Sequence, residues 1–172
     1  MNRVGIGYDL HRLVEKEDLI LGGVKIDHHL GLEGHSDADV LVHALIDAML
    51  GAAALGDIGF HFPPGDYRYH GISSLELLKE ARDIIGRERW QVINADTVVV
   101  AEKPRLTPYV EAMRSNIAAT LAVQPGRISV KATTTERLGA CGREEGIAAQ
   151  AVVLIEKSSH PGRLGRKRSR ND

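Results

Sequence analysis

The sequence predicts an α/β fold, layered as in α+β proteins, with a mixed sheet on one side and helices on the other. Short apolar segments typical of strands alternate along the chain with longer segments of helical periodicity. Turn-forming clusters separate them, such as residues 63–66 (Pro-Pro-Gly-Asp) and 125–126 (Pro-Gly). With 172 residues, the chain is long enough for one domain with a substantial core.

The first part of the chain is predicted to contain two strands and a helix. Residues 3–13 and 19–26 have the character of strands, and the charged residues 15–18 between them suit a turn. Either Asp37 or Asp39 is the expected N-cap of a helix, because apolar side chains with helical spacing follow it to about residue 55.

A second helix, a strand and a third helix are expected next. Ser73 or Ser74 begins the second helix, which ends near residue 89, and residues 90–100 form a strand that is buried towards its end. Thr107 is the expected N-cap of the third helix, which continues to about residue 121, because Pro108 then occupies its first turn.

The last part of the domain is predicted to contain two more strands, at residues 128–133 and 147–155. The glycine-rich residues 139–146 connect them and match neither a Walker nor a dinucleotide-binding pattern. We therefore expect one domain at residues 1–157. Residues 158–172 are basic and almost without apolar side chains, which predicts a disordered tail. A phosphate or nucleic-acid contact is the alternative interpretation of this tail.

Composition argues against a nucleic-acid-binding protein, a membrane protein and a disulfide-bonded secreted protein. The net charge of −1 gives no overall field that attracts nucleic acid or a membrane, and no apolar run approaches the length of a membrane span. The first residues enter a strand pattern at once, so we expect no signal segment. Cys141 is the only cysteine, which excludes an internal disulfide and predicts a cytoplasmic protein.

Asp9, His11 and His43 are candidate metal ligands. The first two are two residues apart on a predicted strand and therefore project from the same face, while His43 lies on the first helix. One carboxylate and two imidazoles form a ligand set that leaves a fourth position open, as catalytic zinc sites do. Alternatively, Asp9 caps a turn and the two histidines make separate hydrogen bonds. Gly5 and Gly7 favour the metal site, since they allow a close backbone approach.

Three further segments carry polar groups suited to phosphate or nucleotide. His35 and Ser36 lie on a glycine-bounded loop and can donate to phosphate oxygens, or they belong to an ordinary surface loop. Residues 131–136 (Lys-Ala-Thr-Thr-Thr-Glu) end a strand and suit a phosphate with a hard cation, although threonines also favour strands. Residues 101–106 could read a small base through backbone groups, or form an exposed loop.

The order of these segments is more specific than any one of them. Residues 5–12 (Gly-Ile-Gly-Tyr-Asp-Leu-His-Arg), 34–44 (Gly-His-Ser-Asp-Ala-Asp-Val-Leu-Val-His-Ala), 56–59 (Gly-Asp-Ile-Gly) and 131–139 (Lys-Ala-Thr-Thr-Thr-Glu-Arg-Leu-Gly) carry the resemblance. With these segments the chain resembles the 2-C-methyl-D-erythritol 2,4-cyclodiphosphate synthase family, the cyclases of the non-mevalonate isoprenoid route. The resemblance extends from Arg3 to about Ile155.

The resemblance implies a homotrimer with active sites between subunits, in which 4-diphosphocytidyl-2-C-methyl-D-erythritol 2-phosphate closes to the cyclic diphosphate and releases CMP. Asp9, His11 and His43 would bind zinc, and Glu136 would help hold Mg²⁺ or Mn²⁺. Catalytic roles would belong to Asp9, His35, Thr134 and Glu136. Substrate contacts would come from Asp9, Leu10, His11, His35, Ser36, Asp57, Ile58, Gly59, Phe62, Asp66, Ala101, Pro104, Arg105, Leu106, Thr133, Thr134, Thr135, Glu136, Ala140 and Arg143.

The chain departs from the family pattern at several places. Pro64 stands at a position that is commonly acidic, so a hydrogen bond is lost there, while Asp66 remains. Arg105 replaces a usual lysine, and Ala140 stands where many members carry an aromatic residue, although Arg143 is present. Two other functions are compatible with the same ligands: a metal-dependent phosphoesterase acting on a nucleotide diphosphate, and a non-catalytic protein that binds a nucleotide or an isoprenoid diphosphate.

Overall fold

A computed structural model of the chain describes residues 1–158. The predicted tail, residues 158–172, lies outside the described residues except for Ser158. The strands are β1 (Asn2–Val14), β2 (Leu19–Leu21), β3 (Val24–Ile26), β4 (Gly31–Leu32), β5 (Trp90–Val100), β6 (Ile128–Thr133) and β7 (Gly146–Lys157). The helices are α1 (Val40–Ala53), α2 (Ile58–His61), α3 (Ser74–Arg87), α4 (Val110–Leu121) and α5 (Gly139–Gly142).

The main sheet has five strands in the order β4-β1-β7-β5-β6. The β5–β6 pair is parallel and the other pairs are antiparallel, so the sheet is mixed. Helix α1 packs on β1 and β7, α3 packs on α1 and β5, and α4 packs on β6. The core lies between this helical layer and one face of the sheet, which confirms the predicted α/β architecture.

Two glycines allow α1 to approach β1 more closely than a side chain would permit. A Cβ atom on Gly5 would lie 1.9 Å from the carbonyl oxygen of Ala48, and one on Gly7 would lie 1.9 Å from that of Ala44. The helix backbone therefore rests directly on the strand. Because His43 belongs to the same turn of α1 as Ala44, this contact brings its ring to the end of β1.

Several elements differ from the sequence prediction. Residues 19–26 form a separate hairpin of β2 and β3 instead of one strand, because Gly22 and Gly23 both adopt positive φ angles and turn the chain. Thr107 does not cap the third helix; it begins a 3-10 turn, Thr107–Tyr109, without a side-chain cap, and α4 starts after it. Of the two candidate caps for α1, Asp39 accepts the N–H of Val42.

The face of the sheet opposite the helices carries exposed apolar side chains. Val4, Ile6, Tyr8 and Leu10 project from β1 with 67%, 63%, 62% and 47% of their surface exposed. Val152 of β7, paired with Ile6, is 42% exposed. The inward-facing positions of β1 alternate with these. In the described part of the chain no helix combines the length and the apolar character that crossing a membrane requires.

Candidate active site

The predicted ligands Asp9, His11 and His43 converge at the end of β1. The Oδ2 atom of Asp9 lies 2.8 Å from Nε2 of His11 and 3.2 Å from Nδ1 of His43. The two histidine nitrogens are 3.2 Å apart. Alternation along β1 points Asp9 and His11 inward, and the close contact of α1 supplies His43. The three atoms therefore face one common point.

The outer nitrogen of each histidine is held by a hydrogen bond that leaves the inner nitrogen available as a ligand. The Nδ1 atom of His11 lies 2.7 Å from the carbonyl oxygen of Glu33, so Nδ1–H donates and Nε2 can offer its lone pair. The Nε2 atom of His43 lies 2.9 Å from Oγ of Ser74 and in the same way leaves Nδ1 free to bind an ion. Such partners fix the tautomer and ring orientation of metal-binding histidines.

Sequence reasoning did not identify Ser74 and Asp37 as functional residues. Ser74 is fully buried, and its hydroxyl donates to Oδ1 of Asp37 while its backbone N–H donates to Oδ2, at 3.0 Å. Because the hydroxyl proton is used in this way, Ser74 accepts the proton of His43. Ser36 adds a second hydroxyl 3.1 Å from the same nitrogen. The only signal in the sequence was a serine at a helix start, which is normally a capping residue.

Electrostatics at the site favour positive charge. Burial by itself would raise the pKa of Asp9, but hydrogen bonds from His11 and His43 and their charges outweigh it, so the pKa of Asp9 lies well below its usual value. Burial likewise opposes protonation of His11, yet the hydrogen bonds to Asp9 and to the Glu33 carbonyl raise its pKa. The carboxylate thus remains ionised and the site attracts a cation or a proton.

A cavity of about 190 Å³ opens beside the metal ligands. It contains six of the residues predicted to contact substrate, together with the ligand His43. The cavity is lined by His11, Gly34, His35, Ser36, His43, Ile58, Gly59, Phe62, Pro64, Tyr69 and Leu77. Its lining is mostly apolar but includes imidazoles and the hydroxyls of Ser36 and Tyr69, so it suits a small molecule with an apolar body and a charged group.

A second cavity, of about 210 Å³, lies at the end of β6. It brings together the predicted loop at residues 101–106 and the predicted threonines. The cavity is lined by Ala101, Glu102, Pro104, Arg105, Leu106, Thr107, Ala132, Thr133 and Thr134. Backbone groups, hydroxyls and the Arg105 guanidinium are the donors expected around a phosphorylated ligand.

Other predicted contact residues lie outside the lining of both cavities. Asp57 caps α2 by accepting the N–H of Phe60, at 2.9 Å. Asp66 pairs with Arg68 through both carboxylate oxygens, the shortest contact being 2.6 Å. The remaining residues of this group are the candidate metal ligand Asp9, Leu10, Thr135, Glu136, Ala140 and Arg143. Their roles, like those of the lining residues, stay predictions.

The two cavities lie at the same end of the sheet but several strands apart. Leu10 pairs with Ala148, Ala148 with Val100, and Val100 with Thr133, so these residues form one row across β1, β7, β5 and β6. With strands about 4.8 Å apart, three steps separate β1 from β6 by about 14 Å. Within the single chain the cavities are therefore separate.

The three converging atoms fit a divalent cation. Ligands about 2.0–2.1 Å from a tetrahedral ion lie about 3.3 Å from one another, close to the 3.2 Å that separates Nδ1 of His43 from each of the other two atoms. The Asp9–His11 distance of 2.8 Å is that of a direct hydrogen bond, which an ion would lengthen. A carboxylate and two imidazoles suit zinc and similar metals.

Known proteins resemble this chain along most of its length. The chain is 61% identical over 156 residues to the 2-C-methyl-D-erythritol 2,4-cyclodiphosphate synthase of Syntrophomonas wolfei, a match that covers 91% of this chain and 99% of that protein. It superimposes on the structure of the bifunctional IspDF from Campylobacter jejuni with a TM-score of 0.88 and 46% identity, covering 92% of this chain. The match spans only 43% of that bifunctional protein.

A complex of IspF from Plasmodium falciparum with CDP gives a TM-score of 0.80 at 33% identity, and the match covers 92% of this chain and 97% of that one. The family model described as the YgbB family matches residues 2–156. These findings confirm the resemblance drawn from the sequence. The chain belongs to the YgbB family, together with the 2-C-methyl-D-erythritol 2,4-cyclodiphosphate synthases.

Proposed function

We propose that the protein converts 4-diphosphocytidyl-2-C-methyl-D-erythritol 2-phosphate into 2-C-methyl-D-erythritol 2,4-cyclodiphosphate and CMP. The observation that carries the proposal is the convergence of Asp9, His11 and His43 beside a cavity that also contains His35 and Ser36. Membership in the YgbB family and the synthases among its relatives support it. The single cysteine supports a cytoplasmic location for this reaction.

Two cations are part of the proposal. Asp9, His11 and His43 would hold zinc, and Glu136 would contribute one carboxylate to Mg²⁺ or Mn²⁺. A single carboxylate is enough for Mg²⁺ only where substrate phosphates and water supply the other ligands. When bound, such cations offset phosphate charge and polarise the oxygens of the reacting groups. Thr134 donates its hydroxyl to Glu136, at 3.1 Å, and so orients this carboxylate.

The chain's own residues would then act by holding the reacting groups of the substrate in position. The nucleophile is the 2-phosphate of the substrate, so the chain needs no serine or cysteine nucleophile. His35 and Ser36 would orient this phosphate, and the loop from Ala101 to Leu106 with Thr133 would hold the cytidine nucleotide. Folding a substrate back on itself can lower the barrier by about 7–11 kcal/mol, which makes orientation a leading contribution. The rest is charge stabilisation around the phosphates.

We further propose a homotrimer in which one subunit's first cavity meets a neighbour's second cavity. The separation of about 14 Å between β1 and β6 within one subunit supports this. So does the apolar face of β1, because Val4, Ile6 and Tyr8 are each more than half exposed in the single chain. Contiguous exposed apolar surface of this kind marks an interaction site.

Phosphorus NMR of the reaction mixture tests the proposed function. We expect the cyclic diphosphate together with CMP when the protein, zinc and Mg²⁺ are supplied with the substrate. Linear 2-C-methyl-D-erythritol 2,4-bisphosphate with CMP would instead show a phosphoesterase, because water would then have opened the phosphoanhydride. Binding of CDP without any turnover under these conditions would show a non-catalytic binding protein.

A further inference from the structure

The turn after β6 holds two consecutive residues in a strained backbone conformation. Glu136 and Arg137 have φ angles of 52° and 68°, in the left-handed region that residues with a Cβ atom rarely adopt. Two such residues in succession persist only where neighbouring groups impose the conformation. The turn includes Thr134 and the candidate Mg²⁺ ligand Glu136, so its conformation sets the position of both.

A single atom, Oε1 of Glu102, accepts two backbone N–H groups of this turn. The donors are the N–H of Thr135 and the N–H of Arg137, each at 3.0 Å. The hydroxyl of Thr135 lies 3.3 Å from the same oxygen but donates its proton to the carbonyl oxygen of Leu138, at 2.6 Å. The N–H of Arg137 is the main reason why the pKa of Glu102 lies below its usual value. These two N–H groups belong to the residues on either side of Glu136.

Glu102 also lines the second cavity, on the side opposite the end of β6. The loop that carries it contributes Ala101, Pro104 and Arg105 to the lining, while the end of β6 contributes Thr133 and Thr134. The side chain therefore joins the two sides of the cavity, and a change at Glu102 alters the geometry of the opposite side.

The far side of the turn is held by α5. A Cβ atom on Gly142 would lie 2.2 Å from the carbonyl carbon of Arg137, so the short helix rests directly on the turn. Lys103 forms an ion pair with Glu144, at 3.0 Å, that ties the same loop to the end of α5. The turn is thus enclosed by Glu102 on one side and by Gly142 on the other.

We propose that Glu102 is a positioning residue of the nucleotide site: through Oε1 it fixes the turn at residues 134–137, so that Thr134 and Glu136 are in place for the nucleotide diphosphate. This inference rests on the proposed function, since it concerns how that substrate is held. The role needs an acceptor oxygen and not a charge. Glutamine, which keeps an amide oxygen at the same position, fulfils it; alanine does not.

The experiment compares Glu102→Ala, Glu102→Gln and the control Glu144→Ala. The control removes a carboxylate that pairs with the same loop but does not bond to the turn. Calorimetry measures CDP binding in the presence of Mg²⁺, hydrogen exchange measures the amides of Thr135 and Arg137, and denaturation measures folding. We expect Glu102→Ala to weaken CDP binding by about tenfold and to expose both amides, while Glu102→Gln stays within a few-fold of wild type.

The outcomes separate this inference from the proposed function. If wild type binds CDP and Glu102→Ala binds it equally well, the inference is wrong and the proposed function stands. If Glu102→Gln is as weak as Glu102→Ala, charge and not the acceptor is required, which also overturns the inference. If wild type neither binds CDP nor forms the cyclic product, both fail. An unfolding midpoint close to that of wild type shows that Glu102→Ala acts locally.

Discussion

His43 of α1 and Ser74 of α3 are joined by a hydrogen bond of 2.9 Å between Nε2 and Oγ. The hydroxyl of Ser74 donates its hydrogen bond to Asp37, so towards the His43 ring it acts only as an acceptor. The bond therefore selects the tautomer of His43 in which Nδ1 faces Asp9 and His11. A candidate metal ligand is oriented by a residue more than thirty positions away in the sequence.

Replacing Ser74 with alanine removes this acceptor. We expect the affinity for a divalent cation to fall by about 10–100-fold, the range for lost partners of metal-binding histidines. The reason is that the His43 ring can rotate and change tautomer, so Nδ1 is no longer always presented. Competition with a zinc-sensitive dye measures the affinity.

The neighbouring serine provides the control. Ser73 caps the same helix by accepting the N–H of Leu75, at 3.3 Å, and has no contact with His43. Ser73→Ala should cost about 1 kcal/mol of folding stability and leave cation affinity unchanged. Equal losses of affinity in both variants would mean that the effect is only structural.

Gly7 tests how the site is assembled from β1 and α1. A Cβ atom at this position would lie 1.9 Å from the Ala44 carbonyl oxygen, so Gly7→Ala must displace α1 and with it His43. We expect a loss of about 1–3 kcal/mol or more in unfolding free energy, measured in urea, together with weaker cation binding.

Gly51 gives the matched substitution within α1. A Cβ atom there has no neighbour within 4 Å, so Gly51→Ala should stabilise the protein by up to about 1 kcal/mol through helix propensity. A Gly7→Ala variant that is as stable as wild type would contradict the close strand–helix packing.

The sequence predicted the strands and long helices, because their apolar periodicity is local. It also placed Asp9 and His11 on one face of β1, since alternation alone requires this. It could not predict that Ser74 meets His43 or that Glu102 meets the turn after β6, because these contacts join segments far apart in the chain. The hairpin at Gly22 and Gly23 was missed because the sequence prediction joins residues 19–26 into one strand, although a Gly-Gly pair between two short apolar runs is itself a turn signal.

Asp39 makes folding stability depend on pH. Burial is the main cause that raises its pKa to about 6 from 3.8, against the hydrogen bonds that it accepts from Gly23 and Val42. The folded state therefore binds a proton more tightly than the unfolded state. Stability from this group is fully present below about pH 4 and is lost as pH rises through about 6, with a total of about 3 kcal/mol.

Asp39→Asn removes this titration, so its unfolding free energy should change less between pH 4 and 7 than that of wild type, at equal protein concentration. At low pH the unfolding free energy of Asp39→Asn is lower than that of wild type, because asparagine keeps only one of the two oxygens that accept from Gly23 and Val42. The test of the prediction is therefore how the unfolding free energy changes with pH. Asp18, an exposed carboxylate paired with Lys25, provides the control, because solvent screens its charge. An identical pH dependence in wild type and Asp39→Asn would contradict the prediction.

Ile6 tests the proposed trimer. Its side chain is 63% exposed in the single chain, so Ile6→Lys is compatible with the folded subunit but not with an apolar interface. Sedimentation velocity should show a trimer for wild type and smaller species for Ile6→Lys, and the variant should lose cyclase activity if sites are shared between subunits. Glu76 lies on α3, in the helical layer, and Glu76→Gln raises the net charge by the same amount as Ile6→Lys. This control should leave the trimer intact.

Anomalous diffraction at the zinc edge, on crystals of protein purified without chelators, shows whether Asp9, His11 and His43 bind one ion. We expect one ion at about 2.0–2.2 Å from Oδ2 of Asp9, Nε2 of His11 and Nδ1 of His43, and its loss in His43→Ala. A density peak at any other place, or none among these three atoms in zinc-replete crystals, would contradict this expectation.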